Sequence, residues 1–428
     1  MTLVGVADRP AAPFTRDLLG AVPIAVLRAA AAALAVAALG QVPPSLVNVA
    51  GGGLAVPTQL RVGWLYTMAG HAVAITATGS GGAVEGLGAG VVGIRLGMLT
   101  IAAVAVAVLV FGARATARRV DDVGVRRVVV GASIAVPYAV LIGGVNAGVD
   151  LPLRTGGGFL PASTSIAAPV WEGFVLPGAL ALVAGMLGGW SASASWHATP
   201  ARAVRAGLRS FVWATGLCFV GLLVFAALRP EGLERYSVEV WSGGPQRAGL
   251  YIGHQALLIP NQAMWVLAPS MGGCVSVRVD GAAHDVICLD RIPRGTDPAT
   301  WLLSELGSVQ GTPPTSPMPP VAWLFVAAPI AAIVIGFRTL GRYAASIPLA
   351  IASGASGGVV FAVTVVVVSL GGSLWLSTGD GEVVRRVAIG PDPGTTTALA
   401  FAWGVVGGAT VSAGSAASRR LSRRARLR

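Results

Sequence analysis

Long apolar runs separated by short polar breaks organise this chain. Runs of about 20 residues, the length a helix needs to cross roughly 30 Å of hydrocarbon, cover Leu19–Gly40, Gly90–Gly112, Val128–Gly148, Trp171–Trp190, Ser210–Leu228, Val321–Phe337, Ala344–Leu370 and Thr396–Ala416. Two further stretches are apolar but interrupted. Leu60–Gly79 holds Arg61 and His71, and Leu250–Pro269 holds His254, Gln255, Pro260, Asn261, Gln262 and Pro269. Hydropathy alone predicts eight to ten spans.

Composition fixes the solvent. The 428 residues are 54% hydrophobic and 11% charged, with mean hydropathy +0.74, whereas a soluble domain carries about 25% charge. The 59 glycines follow no collagen period and sit inside apolar runs. A soluble enzyme, a disordered chain and a disulfide scaffold are excluded, and the pattern predicts an all-α polytopic membrane protein.

Charge chooses the number of spans. The net charge is +12, and all 30 basic residues are arginines. They cluster beside apolar runs rather than on a groove-reading face, which points to the positive-inside rule and away from nucleic acid. If both weak stretches crossed, the Arg114–Arg127 turn would face opposite to the tail Arg419, Arg420, Arg423, Arg424, Arg426, Arg428. If neither crosses, these clusters share the cytoplasmic side with Arg202, Arg205, Arg209, Arg338 and Arg342. That side then carries 18 Arg and 4 acidic residues, and the outer side 10 Arg and 14 acidic residues. The prediction is eight spans in the cell membrane with both termini cytoplasmic: an N-terminus 1–18, a first half 19–190, a linker 191–209, a second half 210–416 and a tail 417–428. The first span reads as a retained signal-anchor, although Ala35-Val36-Ala37 resembles a cleavage site.

The two halves repeat one order: a span, a weak stretch, a returning span, a basic turn, a span, an outer Gly/Pro loop and a last span. The loops are Asp150–Val170 and Gly371–Pro393. Because each half begins and ends inside, this predicts a 4+4 parallel repeat about an axis along the membrane normal. Each weak stretch reads either as an amphipathic helix on the outer surface, the preferred reading, or as a re-entrant element. Non-helical backbone at membrane depth is tolerated only where protein buries it or it lines a cavity. Pro260 removes a helix hydrogen bond, and Asn261 and Gln262 are placed to satisfy the freed carbonyl. Small-xxx-small pairs at Gly144/Gly148, Gly185/Gly189, Gly354/Gly358 and Gly404/Gly408 predict close helix approach.

An outer insert spans residues 270–320. Cys274–Cys288 alternates apolar and polar around Asp280-Gly281, a hairpin signature. Pairing Val279 with Ala283 and Val277 with Asp285 sets Cys274 opposite Cys288. The separation suits a disulfide, and the outer compartment preserves one; two buried thiols are the alternative. Cys218, within a span, reads as a packing residue. Zinc-type ligand spacing is missing from Cys274, Cys288, His284 and Asp285, so no metal site is expected. Asp297–Val309 is expected to form a short helix docking Trp301 and Leu302 on the membrane surface.

Catalytic signatures do not emerge. The four histidines, His71, His197, His254 and His284, form no metalloprotease motif, and no nucleophile elbow, P-loop or paired aspartates appear. No enzyme and no cofactor are expected. Intramembrane charge is assigned to Arg28 and Arg95, with Glu85 and Glu172 near the outer boundary. Arg28 reaches a cytoplasmic-side cavity or snorkels; for Arg95 snorkelling is the preferred account.

Three stretches carry a resemblance: Gly63-Trp64-Leu65-Tyr66-Thr67-Met68-Ala69-Gly70-His71, then Pro260-Asn261 with Trp265, then Ala388-Ile389-Gly390-Pro391-Asp392-Pro393. The chain resembles the PerM-like, cell-division-linked integral membrane family of high-GC Gram-positive bacteria, and shares composition with the streptophobe-type hydrophobic proteins. The first resemblance implies a non-enzymatic envelope or division component that contacts other membrane proteins, with Pro260, Asn261 and Trp265 as its signature. The basic tail is expected to hold anionic lipid. The competing expectation is a small-solute transporter or channel with its site between the two weak stretches.

Overall fold

The computed structural model describes residues 14–80, 91–120, 124–154, 163–193, 199–227, 244–280, 282–293, 315–317, 320–379 and 384–426. Among them are eight helices long and apolar enough to cross a membrane: Gly20–Val49, Leu99–Ala117, Val125–Asn146, Val170–Ala192, Pro200–Phe225, Ala322–Tyr343, Ile347–Gly371 and Pro393–Ser422. The protein is a multi-pass helical membrane protein. Every expected span has its counterpart, and neither weak stretch is among the eight.

One span is displaced. The run predicted from Gly90 starts its helix at Leu99, because Val91–Leu96 forms a strand instead. Val91, Val92 and Ile94 favour the pleated conformation, and Gly97 interrupts the backbone before the helix starts. Arg95, expected within a span, therefore lies in a β-strand.

The chain divides into two compact units. The first comprises Met1–Val36, Ala103–Gly148 and Val170–Ala194. It contains most of α1 (Phe14–Gly40) and α4 (Leu99–Ala117), together with α5 (Val125–Ala132), α6 (Ala135–Asn146) and α7 (Val170–Ser193). Its helices meet through small residues. Ala25, Ala29 and Ala32 form a buried seam on α1, while Ala105, Leu109 and Ala113 line α4 at four-residue intervals. A Cβ at Gly185 would lie 2.5 Å from the Gly131 carbonyl oxygen, and one at Gly189 would collide with the Arg127 carbonyl oxygen. Arg28 donates to the Gly112 carbonyl at 3.2 Å.

The second unit comprises Ala37–Ala102, Val149–Pro169 and Ser195–Arg428. Its helices are α2 (Val42–Val49), α3 (Val56–Gly70), α8 (Thr199–Ala227), α9 (Gly244–Ser270), α10 (Ala327–Tyr343), α11 (Ile347–Gly371), α12 (Pro393–Phe401) and α13 (Gly408–Arg426); a π-helical segment, Ala402–Gly407, joins the last two. Ser346 accepts from the Leu349 amide at the start of α11, and Asp392 accepts from the Thr395 amide at the start of α12. Gly354 abuts Gly408, and Gly358 abuts Gly404, so α11 and the last helix touch backbone to backbone. A Cβ at Gly144 would meet nothing within 4 Å, so the expected pair with Gly148 marks no close approach among the described residues.

The sequence pattern predicts one hairpin; the described residues contain four, joined in one sheet. The strands are β1 (Ile75–Ser80), β2 (Val91–Leu96), β3 (Leu151–Arg154), β4 (Ser163–Ala167), β5 (Cys274–Val279), β6 (Ala282–Cys288), β9 (Leu374–Gly379) and β10 (Val384–Pro391), and β7 (Arg291–Pro293) pairs separately with β8 (Thr315–Pro317). The eight-stranded order is β3-β4-β1-β2-β9-β10-β5-β6, antiparallel throughout. A shift of four strands maps the first half of this order onto the second: β3 to β9, β4 to β10, β1 to β5 and β2 to β6. Register repeats as well. Ile166 pairs with Leu151 and Ala77, and Ile389 pairs with Leu374 and Val277.

Cys274 and Cys288 form a disulfide with Cα atoms 4.5 Å apart. The expected pairing is right, but the expected register at the turn is not. Val279 faces Ala282 and Val277 faces His284, because Asp280, at φ +48°, starts a two-residue connection. An irregularity between Val275 and Ser276 restores the frame, so that Cys274 still faces Cys288. Val286, the additional residue, is buried with Val277 and Val387.

Candidate functional site: a polar junction beneath the sheet

The ends of α3 and α9 deliver the chain into β1 and β5 through the same turn. Val73 N–H bonds the Met68 carbonyl and Ala72 N–H the Ala69 carbonyl; Gly273 N–H bonds the Ala268 carbonyl and Gly272 N–H the Pro269 carbonyl. This is the Schellman arrangement, which needs a left-handed residue after the helix. Gly272 supplies it at φ +98°, and Ala72 adopts it at φ +56°.

One polar side chain ties the second junction together. Asn261, 3% exposed, accepts from the Leu99 amide at 3.1 Å and donates to the carbonyls of Gly97 at 2.6 Å and Gly372 at 3.3 Å. It thus satisfies the free amide at the start of α4 and the free carbonyl at the end of α11, groups that helix termini leave unpaired. Trp265, one turn further along α9, donates its indole N–H to the same Gly372 carbonyl at 3.2 Å. The backbones need glycine here: a Cβ on Gly97 would collide with the Gly371 carbonyl.

Pro260 does not break α9, which is continuous over 27 residues. Proline removes the donor that would reach the Ala256 carbonyl. Thr100 replaces it, its hydroxyl lying 3.5 Å from that oxygen. The expected internal repair by Asn261 does not occur, since Asn261 serves neighbouring segments, and Gln262 bonds Gln255. One face of α9 packs into the protein. Leu257, Asn261, Met264, Leu267 and Ser270 are buried, and the Met271 carbonyl accepts from the Trp403 indole at 2.9 Å.

The junction of α3 is built differently. His71, 5% exposed, donates from Nδ1 to the Thr67 carbonyl at 2.8 Å. Burial pushes its pKa down to about 4, partly offset by that carbonyl, so the ring is neutral. Tyr66 meets the His254 ring edge-on with centroids 5.9 Å apart; burial raises the Tyr66 phenol to about 12 and lowers His254. The two weak stretches therefore touch through aromatic rings.

Other expected residues lie apart. Arg28 serves a helix carbonyl within the first unit, while Arg95 pairs with Trp375 across β2 and β9. Glu172 is buried in the first turn of α7. Glu85, His197 and the helix expected over Asp297–Val309 lie outside the described residues. Cys218 is buried 3.8 Å from the Ser270 hydroxyl. Cys274, Cys288 and Asp285 offer ligand atoms within 4.8 Å of one another, but bonded sulfurs supply no thiolate. Sequence reasoning missed Gly97, Thr100 and Gly372, whose contribution is backbone geometry and a short hydroxyl.

Comparison with known proteins adds no name: no family model, no curated protein and no solved structure matches the chain.

Proposed function

We propose that this multi-pass membrane protein is a non-enzymatic structural or interaction component of the cell envelope, presenting its sheet on the extracytoplasmic side. The observation that carries the reading is the sheet itself, which joins hairpins from both halves of the chain. An open sheet cannot traverse hydrocarbon, so its strands share one side and consecutive hairpins are separated by an even number of crossings. Between β4 and β5 run α7, α8 and α9; the parity is met when α7 and α8 cross and α9 does not. Arginine bias supports the orientation with the sheet outside and both termini in the cytoplasm.

The choice of scaffold over transporter rests on the junction. Asn261, a buried polar group of the second weak stretch, has its amide filled by backbone partners, while Tyr66 and His254 close on each other. The resemblance of Pro260-Asn261 and Trp265 to the PerM-like family supports a division-linked role. Reporter fusions at Arg119, Arg205 and Arg428 are expected to signal cytoplasm, and one at Ala282 the outside. In sealed proteoliposomes no solute flux above empty vesicles is expected, and a photo-crosslinker at Ala283 in native membranes is expected to capture envelope membrane proteins. Flux abolished by Asn261→Leu would overturn the scaffold in favour of the transporter.

A further inference from the structure

A basic cavity of about 400 Å³ opens between α8 and α10, at the ends of two membrane-length helices. Arg202, Arg205 and Arg209 line it from α8, and Tyr343 and Thr339 from α10. Residues three and four apart share a helix face, so the arginines stack as like charges along one stripe. Such a stripe is unfavourable unless an anion neutralises it. The Arg202 guanidinium sits 5.3 Å over the Tyr343 ring, which holds it at the mouth of the cavity.

Arg338 and Arg342 line a separate cavity with Arg419, whereas three arginines of the other clusters are held by backbone carbonyls. Arg127 donates to the carbonyls of Val120 and Ala192, Arg419 to those of Arg342 and Ala344, and Arg420 to that of Ala345. Those guanidiniums cap helix ends. Among the described residues Arg202 and Arg209 have no hydrogen-bonding protein partner, and both line an open volume. The inner wall is apolar, made by Ala206 and Leu340. Along α8 the surface continues into exposed Leu208, Val212 and Trp213.

We propose that this cavity binds the phosphate headgroup of an anionic phospholipid, whose acyl chains run along the exposed stripe of α8. Guanidinium groups match phosphate oxygens in geometry and charge, and the apolar continuation distinguishes a lipid phosphate from a free one. The site is separate from the basic tail and does not depend on the scaffold reading.

The test is a binding titration on purified full-length protein in neutral detergent, using short-chain phosphatidylglycerol, short-chain phosphatidylcholine and inorganic phosphate, read by thermal stabilisation and native mass spectrometry. Phosphatidylglycerol is expected to bind saturably, and phosphatidylcholine, which carries no net charge, more weakly. The combined variant Arg202→Gln/Arg205→Gln/Arg209→Gln is expected to weaken phosphatidylglycerol binding about tenfold or more, the scale of a single charge-assisted hydrogen bond. A tail variant removing equal charge, Arg423→Gln/Arg424→Gln/Arg426→Gln, is expected to leave this binding unchanged. If the combined variant does not fold, Arg209→Gln alone, at an exposed position, is expected to weaken binding in the same direction. Equal affinity for wild type and the cavity variants would overturn the site. Stabilisation by phosphate alone equal to that by phosphatidylglycerol would overturn the lipid as its occupant.

Discussion

The sheet's two halves share a plan and differ in what secures it. In the first, α3 enters β1 through Ala72, a residue strained in the left-handed region, and a titratable His71 sits in the turn. In the second, α9 enters β5 through Gly272, Met271 replaces the histidine, and two devices without a counterpart appear: Asn261 and the Cys274–Cys288 bond. The matching position to Asn261, 200 residues earlier by the alignment of the two turns, is the exposed Arg61. A repeated backbone can thus be fastened unequally: the first copy leans on packing, the second on a polar clamp and a covalent link.

The largest effect should come from the clamp. Asn261→Leu leaves the Leu99 amide and the Gly97 carbonyl without their side-chain partner, at about 1–3 kcal/mol for each buried group, so a loss of about 3 kcal/mol or more is expected in unfolding measured in detergent. Arg61→Leu is expected to change stability by about 0.5 kcal/mol or less. Equal losses at the two positions would break the asymmetry.

Next in size is the covalent link, which closes a sequence separation of 14 residues. Cys274→Ser with Cys288→Ser is expected to cost about 3 kcal/mol, read as a lower midpoint that a reductant does not lower further. The corresponding place in the first copy is Ala74 and Arg95, next to the paired Ile75 and Ile94. Cysteines at both are expected to crosslink, as peptide mapping without reductant will tell.

The smallest effect should appear only in acid. Because burial holds His71 near 4 while the unfolded side chain titrates near 6.5, the unfolded state takes up the proton first as pH falls. Stability is therefore complete above about pH 6.5 and declines toward pH 4. His71→Met, which copies the second half, is expected to flatten that decline in a pH series of melting curves. An unchanged slope would remove His71 from the account.

The helices were legible because a membrane imposes a length. Most of the sheet was not. Ile75–Ser80 and Ser163–Ala167 are short, small-residue segments whose pairing lies in distant partners, so only the hairpin with an Asp-Gly turn announced itself. The half-to-half layout was visible in sequence, whereas the repeated register needed Ile166 and Ile389 to be seen beside their neighbours. Pro260, Asn261 and Trp265 stood out by type. Their work did not, because their partners are the carbonyls of Gly97 and Gly372 and the hydroxyl of Thr100, which carry no pattern.

The seam between β2 and β9 has a consequence for biogenesis. The Ser377 hydroxyl meets the Gly93 carbonyl across 284 residues of chain. At roughly 5–20 residues per second of synthesis, β2 emerges about a quarter of a minute to a minute before its partner exists. Throughout that interval the edge of β2 that will pair with β9 has no partner strand from this chain.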